Sequence, residues 1–352
     1  MIRIEKLREF MAQRGLDSLF LLKPENRRYA TGFTGTTGLV LLTRQRAMFF
    51  TDFRYMAQAK KQCVGYEVLE VSREMSFLDY MRTMRLGKMG FENTEMDVAT
   101  YTHMRDSLPN TEFIALGNGL LEVRAVKDQN EIENIKKAAS IADEAFEHIL
   151  NFISPGMKEN EVALELEIFM RRKGASALSF ESIVASGLRS ALPHGVATDK
   201  VIEHGDIVTM DYGCVYNGYC SDMTRTVIIG KANEKQKKIY NIVLEAQQRV
   251  IGKIFPGKTG QDLDLIARNY IDRRGYGSYF GHGLGHGVGL QIHELPNISV
   301  LGKEPLVSGM IITDEPGIYI PDFGGVRIED LILVTDSGCE VLSKSTKDLI
   351  EI

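Results

Sequence analysis

Several protein classes are excluded by what this chain lacks. No apolar run in its 352 residues approaches the roughly 18 needed to span a bilayer. Its 42 Lys+Arg nearly balance its 47 Asp+Glu, and a net charge of −5 offers no footing for nucleic acid or an anionic membrane. The four cysteines, Cys63, Cys214, Cys220 and Cys339, include no C-x-x-C pair, so a reduced, cytoplasmic protein is expected. The N-terminal stretch MIRIEKLREFMAQRGL is charged and amphipathic, unlike a signal peptide. No glycine-rich phosphate loop follows any strand-like run of the first 115 residues, which argues against nucleotide binding there. Histidine is scarce, with seven in all, yet three of them (His282, His286 and His293) fall inside one stretch, GHGLGHGVGLQIHE at 281–294.

A hydrophobic share of 44% with 25% charged residues is ordinary for a globular protein able to bury a sizeable core, and the length suggests two domains. In the first 115 residues the strand-like runs DSLFLL, GLVLLT, AMFF and YEVLEV alternate with helical patterns at 2–14, 53–62, 76–85 and 97–107. That alternation predicts a small α/β domain, with an architectural role. A second domain opens near KDQNEIENIKK, and it contains a repeat. IKKAASIADEAFEHILNFISPGMKENEVALELEIFMRRKGA aligns with QKKIYNIVLEAQQRVIGKIFPGKTGQDLDLIARNYIDRRGY at a constant offset of about 101 residues. Pro155-Gly156 falls on Pro256-Gly257, and Val162, Leu166, Phe169 and Met170 fall on Leu263, Ala267, Tyr270 and Ile271, one helical face in each copy. Each copy therefore reads as helix, Pro-Gly turn, helix, then strands. Two long copies do not make a solenoid; they predict a pseudo-twofold α/β domain with a site between its halves.

Acidic residues follow both helical pairs. Asn217-Gly218 is a two-residue hairpin turn inside DIVTMDYGCVYNGYCSDMTRTVIIG. A hairpin folded there sets Asp222 opposite Gly213 and makes Asp211 its diagonal neighbour on one face. In MIITDEPGIYIPDFGGVRIEDLILVTD a hairpin centred at Asp322 sets Glu315 opposite Glu329, an arrangement that a register slip of one residue would destroy. Four carboxylates on two hairpins, with one or more imidazoles from the glycine-spaced stretch, suit hard divalent ions such as Mn²⁺. Four negative charges suit two ions better than one, the arrangement that activates a water for hydrolysis. The glycine-spaced stretch itself looks too poor in intrinsic order for a helix or a central strand; its glycines are expected to let backbone pass close to the metals. His103 and His148 read as structural and His204 as a turn residue.

The same residues carry a resemblance. RYATGFTGTTGLVLLT, TDFRY, IVASGLRSALPHGVATDK, MDYGCVYNGYCSDMTRT, GHGLGHGVGLQIHELP and DEPGIYIPDFGGVRIED, in that order, resemble the pita-bread metallopeptidases, closest to the Xaa-Pro aminopeptidases and the Xaa-Pro dipeptidases, or prolidases. The resemblance runs nearly end to end. It implies an α/β (α+β) fold, with a small N-terminal α/β domain over 1–122 and a pseudo-symmetric catalytic domain over 123–352. It makes Asp211, Asp222, His286, Glu315 and Glu329 the metal ligands; spacing by itself does not separate His286 from His282. It implies two divalent ions, Mn²⁺ first with Co²⁺ or Zn²⁺ as alternatives. Glu315 becomes the proton carrier, His194, His282 and His293 substrate-side histidines, and Arg327 an active-site arginine that orients its neighbours. Tyr319 lies nearby by analogy. A proline-containing peptide is the implied substrate and a homodimer the implied assembly, with no nucleic acid or membrane partner. Many prolidases have Arg where this chain has Asn297, which tilts the expectation toward an aminopeptidase, with the dipeptidase as alternative. Five intact ligand positions argue against the metal-free creatinases and against a non-catalytic binding protein. The N-terminal segments argue against a methionine aminopeptidase. Asp314 departs from the family pattern, and on a strand its side chain is expected to point away from the metals.

Overall fold

The structure is a computed structural model and describes residues 2–352. Contacts divide the chain into two units, one closing at Arg124 and the other opening at Ala125. The N-terminal unit contains α1 (Ile2–Gln13), β1 (Ser18–Leu21), α2 (Pro24–Thr31), β2 (Leu39–Thr43), β3 (Ala47–Thr51), α3 (Met56–Gln62), β4 (Glu67–Glu70), α4 (Phe77–Arg82), β5 (Lys88–Phe91) and α5 (Val98–Ser107), then β6 (Glu112–Ala115) and most of α6 (Gly119–Ala125). Its six strands form one mixed sheet in the order β4-β3-β2-β1-β5-β6. All four strand-like runs of the sequence are in it. Two further strands, β5 and β6, were not legible: KMGF and EFIA are too short and too broken by glycine or charge to give a period.

The second unit is built twice. Helix α7 (Gln129–Leu150) starts in a capping box in which Asp128 and Glu131 satisfy each other's backbone N–H groups. It buries Ile135, Ala138, Ile141, Ala142, Ala145, Phe146 and Ile149, a stripe at helical spacing. After the turn at Pro155-Gly156 comes α8 (Glu159–Arg172). In the second copy α9 (Glu234–Ile251) and α10 (Gly260–Arg273) open in the capping boxes Asn233/Gln236 and Thr259/Asp262. The bounds of α8 and α10 differ by 101 residues at both ends, and the equivalent residues just before them, Lys158 and Thr259, each make a β-bridge, to Val201 and Pro305. Val162, Leu166 and Met170 are wholly buried, as are Leu263, Ala267 and Ile271. Each of these side chains other than Ala267 contributes about 1.5–3 kcal/mol through the water it sheds.

Strands complete each half. The first half has β7 (Ala177–Leu178), β8 (Ile183–Ser186), β9 (Ile207–Tyr212), β10 (Cys214–Tyr216), β11 (Tyr219–Cys220) and β12 (Met223–Ile228). The second has β13 (Gly285–Gly287), β14 (Glu294–Ile298), β15 (Ile311–Asp314), β16 (Gly317–Ile320), β17 (Gly324–Arg327), β18 (Asp330–Thr335) and β19 (Gly338–Val341). The final strand, β20 (Ile350–Glu351), crosses back to pair with β12, giving sheets ordered β20-β12-β9-β8 and β14-β13-β15-β18-β19. The glycine-spaced stretch thus contributes β13, a strand inside its sheet rather than a loop, which corrects the expectation. None of the four cysteines is in a disulfide. No helix among the described residues is long and apolar enough to cross a membrane.

Candidate metal centre

Both acidic hairpins fold in the expected register. Asn217 and Gly218 adopt φ values of 45° and 79°, the left-handed pair of a type I′ turn. From there Tyr216 faces Tyr219, Val215 faces Cys220 and, further along, Tyr212 faces Met223 and Asp211 faces Thr224. The ladder is interrupted at Gly213 and Ser221–Asp222. A Cβ on Gly213 would stand 1.9 Å from the Ser221 carbonyl oxygen, so glycine is required at the crossing. In the second hairpin Asp322 takes φ 60° at the turn, Ile320 faces Gly324 and Gly317 faces Arg327; beyond a gap, Asp314 faces Asp330. Glu315 and Glu329 sit at that gap. Three of the four acids therefore stand where one ladder hands over to the next and the strict alternation of a strand is released.

Oxygens of Asp211, Asp222 and Glu329 lie within 4.8 Å of one another. His286 adjoins them: its Nε2 is 3.5 Å from Asp222 Oδ2 and 3.5 Å from Glu315 Oε1. Those separations are long for hydrogen bonds but suit donors that share an ion at about 2.0–2.2 Å from each. The Nδ1 of His286 lies 3.0 Å from the Gly287 carbonyl, which can only accept, so Nδ1 carries the hydrogen and Nε2 presents its lone pair. Asp211 Oδ2 accepts from Arg327 at 2.7 Å while its buried Oδ1 has no hydrogen-bond partner among the described residues. An orphaned carboxylate oxygen on Asp211, two further acids clustered with it and a lone-pair nitrogen beside them fit divalent cations.

Charge in this cluster is dearly held without a cation. Burial, and then the charges of Glu329, Asp211 and Glu315, raise the Asp222 carboxyl well above the usual range. Burial followed by Glu315 and Asp211 does the same to Glu329, and burial foremost lifts Glu315 to about 7. Burial also lowers His286, His293 and His282, the last to about 4, keeping all three neutral near pH 7. For Arg327 burial acts downward, but Tyr319, Asp211, Glu315 and Glu329 around it raise it well above its ordinary value.

The acids open onto a cavity of about 590 Å³ that also carries His194, His282, His293, Arg327 and Asn297 on its walls. Every site residue expected from the sequence is in that wall. His293 lies against His286 with ring centroids 4.4 Å apart. Arg327, on β17, distributes its donors: Nε to Thr224 Oγ1 at 3.0 Å, Nη1 to Tyr319 at 2.8 Å and to the Pro193 carbonyl at 3.2 Å, Nη2 to Asp211. Tyr319 in turn stands 2.9 Å from His282 Nε2, whose Nδ1 meets the Gly283 carbonyl, so the tyrosine donates to the ring nitrogen. Three residues beyond those singled out take part. Tyr319 links Arg327 to His282. Thr224 hands a hydrogen bond to Glu329 at 2.6 Å, and Thr313 hands one to Glu315 at 3.0 Å. Tyr319 had a signal in EPGIY; the two threonines had none, since a hydroxyl on a strand reads as β-propensity.

The glycines on either side of His286 are pressed against neighbouring strands. A Cβ on Gly285 would come within 2.3 Å of the Thr313 carbonyl oxygen, and one on Gly287 within 2.1 Å of that of Leu295. They bring β13 close to its neighbours so that His286 between them faces the acids. Asp314 lies outside the cavity wall, wholly buried, and burial followed by Asp330 raises it well above the carboxylate range.

Residues 133–336 match the model of metallopeptidase family M24, and residues 3–126 that of the creatinase/prolidase N-terminal domain. The chain is 42% identical to the Xaa-Pro dipeptidase of Pyrococcus furiosus over 99% of both chains. Among solved structures it is similar to an Xaa-Pro dipeptidase from Bacillus anthracis, at TM-score 0.97 and 49% identity, over 100% of this chain and 99% of that one. An X-Pro aminopeptidase from Thermotoga maritima is similar at TM-score 0.91 and 37% identity, over 98% of this chain and 100% of that one.

Proposed function

The chain belongs to metallopeptidase family M24, and on that premise we propose that it hydrolyses the peptide bond before proline in Xaa-Pro dipeptides. The observation that carries this reading is the convergence of Asp211, Asp222, His286, Glu315 and Glu329 on one cavity, in a chain related over its whole length to Xaa-Pro dipeptidases. These relatives favour the dipeptidase over the aminopeptidase suggested by Asn297.

The five residues would hold two divalent ions, Mn²⁺ first. When bound, such ions polarise a scissile carbonyl and make water a stronger nucleophile. Glu315 takes the proton from the attacking water and returns one to the proline nitrogen, which has no hydrogen of its own and leaves only when protonated. His194 and His293 steady the oxyanion and the leaving side. Arg327 anchors Asp211 directly and Glu329 through Thr224, and with Tyr319 it fixes the tautomer of His282. His293, kept neutral by burial, can accept or donate a hydrogen bond without placing another cation against the metals.

A second reading has its own support. Asn297 leaves the cavity wall without a cation at that position for a dipeptide's carboxylate, and the Thermotoga relative is called an X-Pro aminopeptidase. Hydrolysis by EDTA-stripped protein, with and without Mn²⁺, of an Xaa-Pro dipeptide and an Xaa-Pro-Xaa tripeptide in parallel separates the two. Metal-dependent cleavage of the dipeptide is expected; preference for the tripeptide would establish the aminopeptidase, and failure on both with metal bound would overturn the peptidase reading. A cytoplasmic homodimer completes the proposal, and sedimentation at micromolar concentration checks the assembly.

A further inference from the structure

Two cavity histidines sit on segments with little regular structure. His194 lies in the stretch between Ser186 and Thr198, which beyond a short 3-10 turn at Gly187–Ala191 contains only a tight turn at Pro193-His194 and an isolated bridge. His282 lies between the turn Gly277–Tyr279 and β13. Loops of this kind are normally the mobile part of a site. In this chain each is tied down by a buried carboxylate on the second helix of its own half.

In the first half Glu159, the opening residue of α8, is wholly buried. It accepts from Ser186 N at 2.7 Å and Oγ at 2.9 Å, from Thr198 N at 3.1 Å and Oγ1 at 2.8 Å, and from Arg189 Nε at 3.0 Å. Both ends of the loop close on one side chain, and Arg189 reaches on to the Val196 carbonyl at 2.6 Å. In the second half Asp264, wholly buried on α10, accepts from Leu284 N at 3.1 Å and grips Arg268 with two bonds of 2.7 and 2.8 Å. Arg268 donates to the Phe280 carbonyl at 2.9 Å and to that of His282 itself at 2.8 Å. The two clamps are not copies. By the offset of the repeat the counterpart of Glu159 is Gly260, and that of Asp264 is Ala163. Gly260 has to be glycine, because a Cβ there would stand 2.0 Å from the Asn297 carbonyl oxygen. Each half reaches the same arrangement, acid plus arginine holding a histidine segment by its backbone, from a different helical position. Neither acid lines the cavity.

We propose that Glu159 with Arg189, and Asp264 with Arg268, are positioning residues that set His194 and His282 respectively against the substrate. The kinetic part of this rests on the Xaa-Pro peptidase reading; the structural part does not. Glu159→Gln and Asp264→Asn keep an acceptor oxygen and the shape of the side chain but remove the charge that the arginine answers. Side-chain NMR of histidine-labelled, metal-free full-length protein reads the outcome directly, because only seven imidazoles contribute. Glu159→Gln is expected to move the His194 resonances and leave those of His282, and Asp264→Asn to do the reverse. In metal-replete protein each variant should lower kcat about 10- to 100-fold with KM within about threefold, the signature of misplacement by about an ångström rather than lost binding. Arg268→Lys should behave like Asp264→Asn, since an ammonium cannot reproduce the guanidinium fork.

If either variant fails to fold, Glu159→Asp or Asp264→Glu, with the charge kept on an arm of different length, gives the same half-specific reading. Resonances that move in both halves together, or in neither, overturn the proposal, as does kcat within twofold of wild type. A wild-type protein that cleaves no Xaa-Pro peptide overturns the functional reading instead, and the NMR result still decides the clamps.

Discussion

Glu315 receives a hydrogen bond from Thr313, faces His286 across 3.5 Å, and is raised to about 7 chiefly by burial. Glu315→Gln keeps its volume and loses its base, so kcat should fall by at least about 10²- to 10⁴-fold with an unchanged far-ultraviolet circular dichroism spectrum. Substantial turnover in that variant, metal-replete, would remove Glu315 from proton transfer. His282 makes a separate prediction, on stability. Burial lowers it from 6.5 to about 4, so between those values the unfolded chain takes up a proton that the folded chain refuses. Its contribution is complete above pH 6.5 and is lost as pH falls toward 4, by roughly 3 kcal/mol. In denaturant titrations of metal-free protein at pH 7 and pH 4, His282→Gln should lose less stability over that interval than wild type. An equal loss in both would mean that His282 is not held neutral. Burial is the chief reason that protonation is resisted there, and the charges of Arg327 and Arg268 nearby add to it.

Among elements, the hairpins were the most legible part of the site. A turn that needs two left-handed residues sets the register, and once register is set, period-two geometry determines which acids face each other. Asp211 and Asp222 followed from that arithmetic at the Asn217-Gly218 turn, and Glu315 and Glu329 from their mirrored positions about Asp322. The glycine-spaced strand was misread because its crowding comes from partners distant in the chain: Thr313 and Leu295 press on Gly285 and Gly287, and nothing within 281–294 announces it. Gly285→Ala tests the reading. The added methyl meets the Thr313 carbonyl and hydroxyl oxygens, at the place where Thr313 Oγ1 accepts from His286 N at 3.0 Å. Destabilisation of about 1–3 kcal/mol is expected, together with weakened Mn²⁺ binding by calorimetry. Unimpaired metal binding would mean that the strand can shift without moving His286.

For the whole molecule, acids buried side by side repel one another in the metal-free fold, and bound cations would relieve that repulsion. A ligand that binds only the native state stabilises it by about 2.7 kcal/mol at a concentration of 100 times Kd. Thermal unfolding should therefore shift upward on adding Mn²⁺ to stripped protein. The shift should vanish in Asp222→Asn combined with Glu329→Gln, where two of the clustered carboxylates are gone. A shift that survives in that variant would place the binding elsewhere. The duplication of the second unit bears on this too. Each half brings one acidic hairpin, so neither can bind two ions without the other.

By itself the sequence determined the local and the periodic. Helical stripes repeating at an offset of about 101 residues, an Asn-Gly turn and acids at mirrored positions about two hairpin centres depend only on neighbours in the chain. Tertiary structure decided what depends on distant backbone. It set His286 rather than His282 at 3.5 Å from Asp222 and Glu315, a choice that spacing does not make and that only the family resemblance had made from the sequence. It recruited Thr224, Thr313 and Tyr319, and it closed the histidine loops on Glu159 and Asp264. Hydrogen bonds of that kind join residues that have no relation in sequence, and only the packing of the two halves brings them within reach.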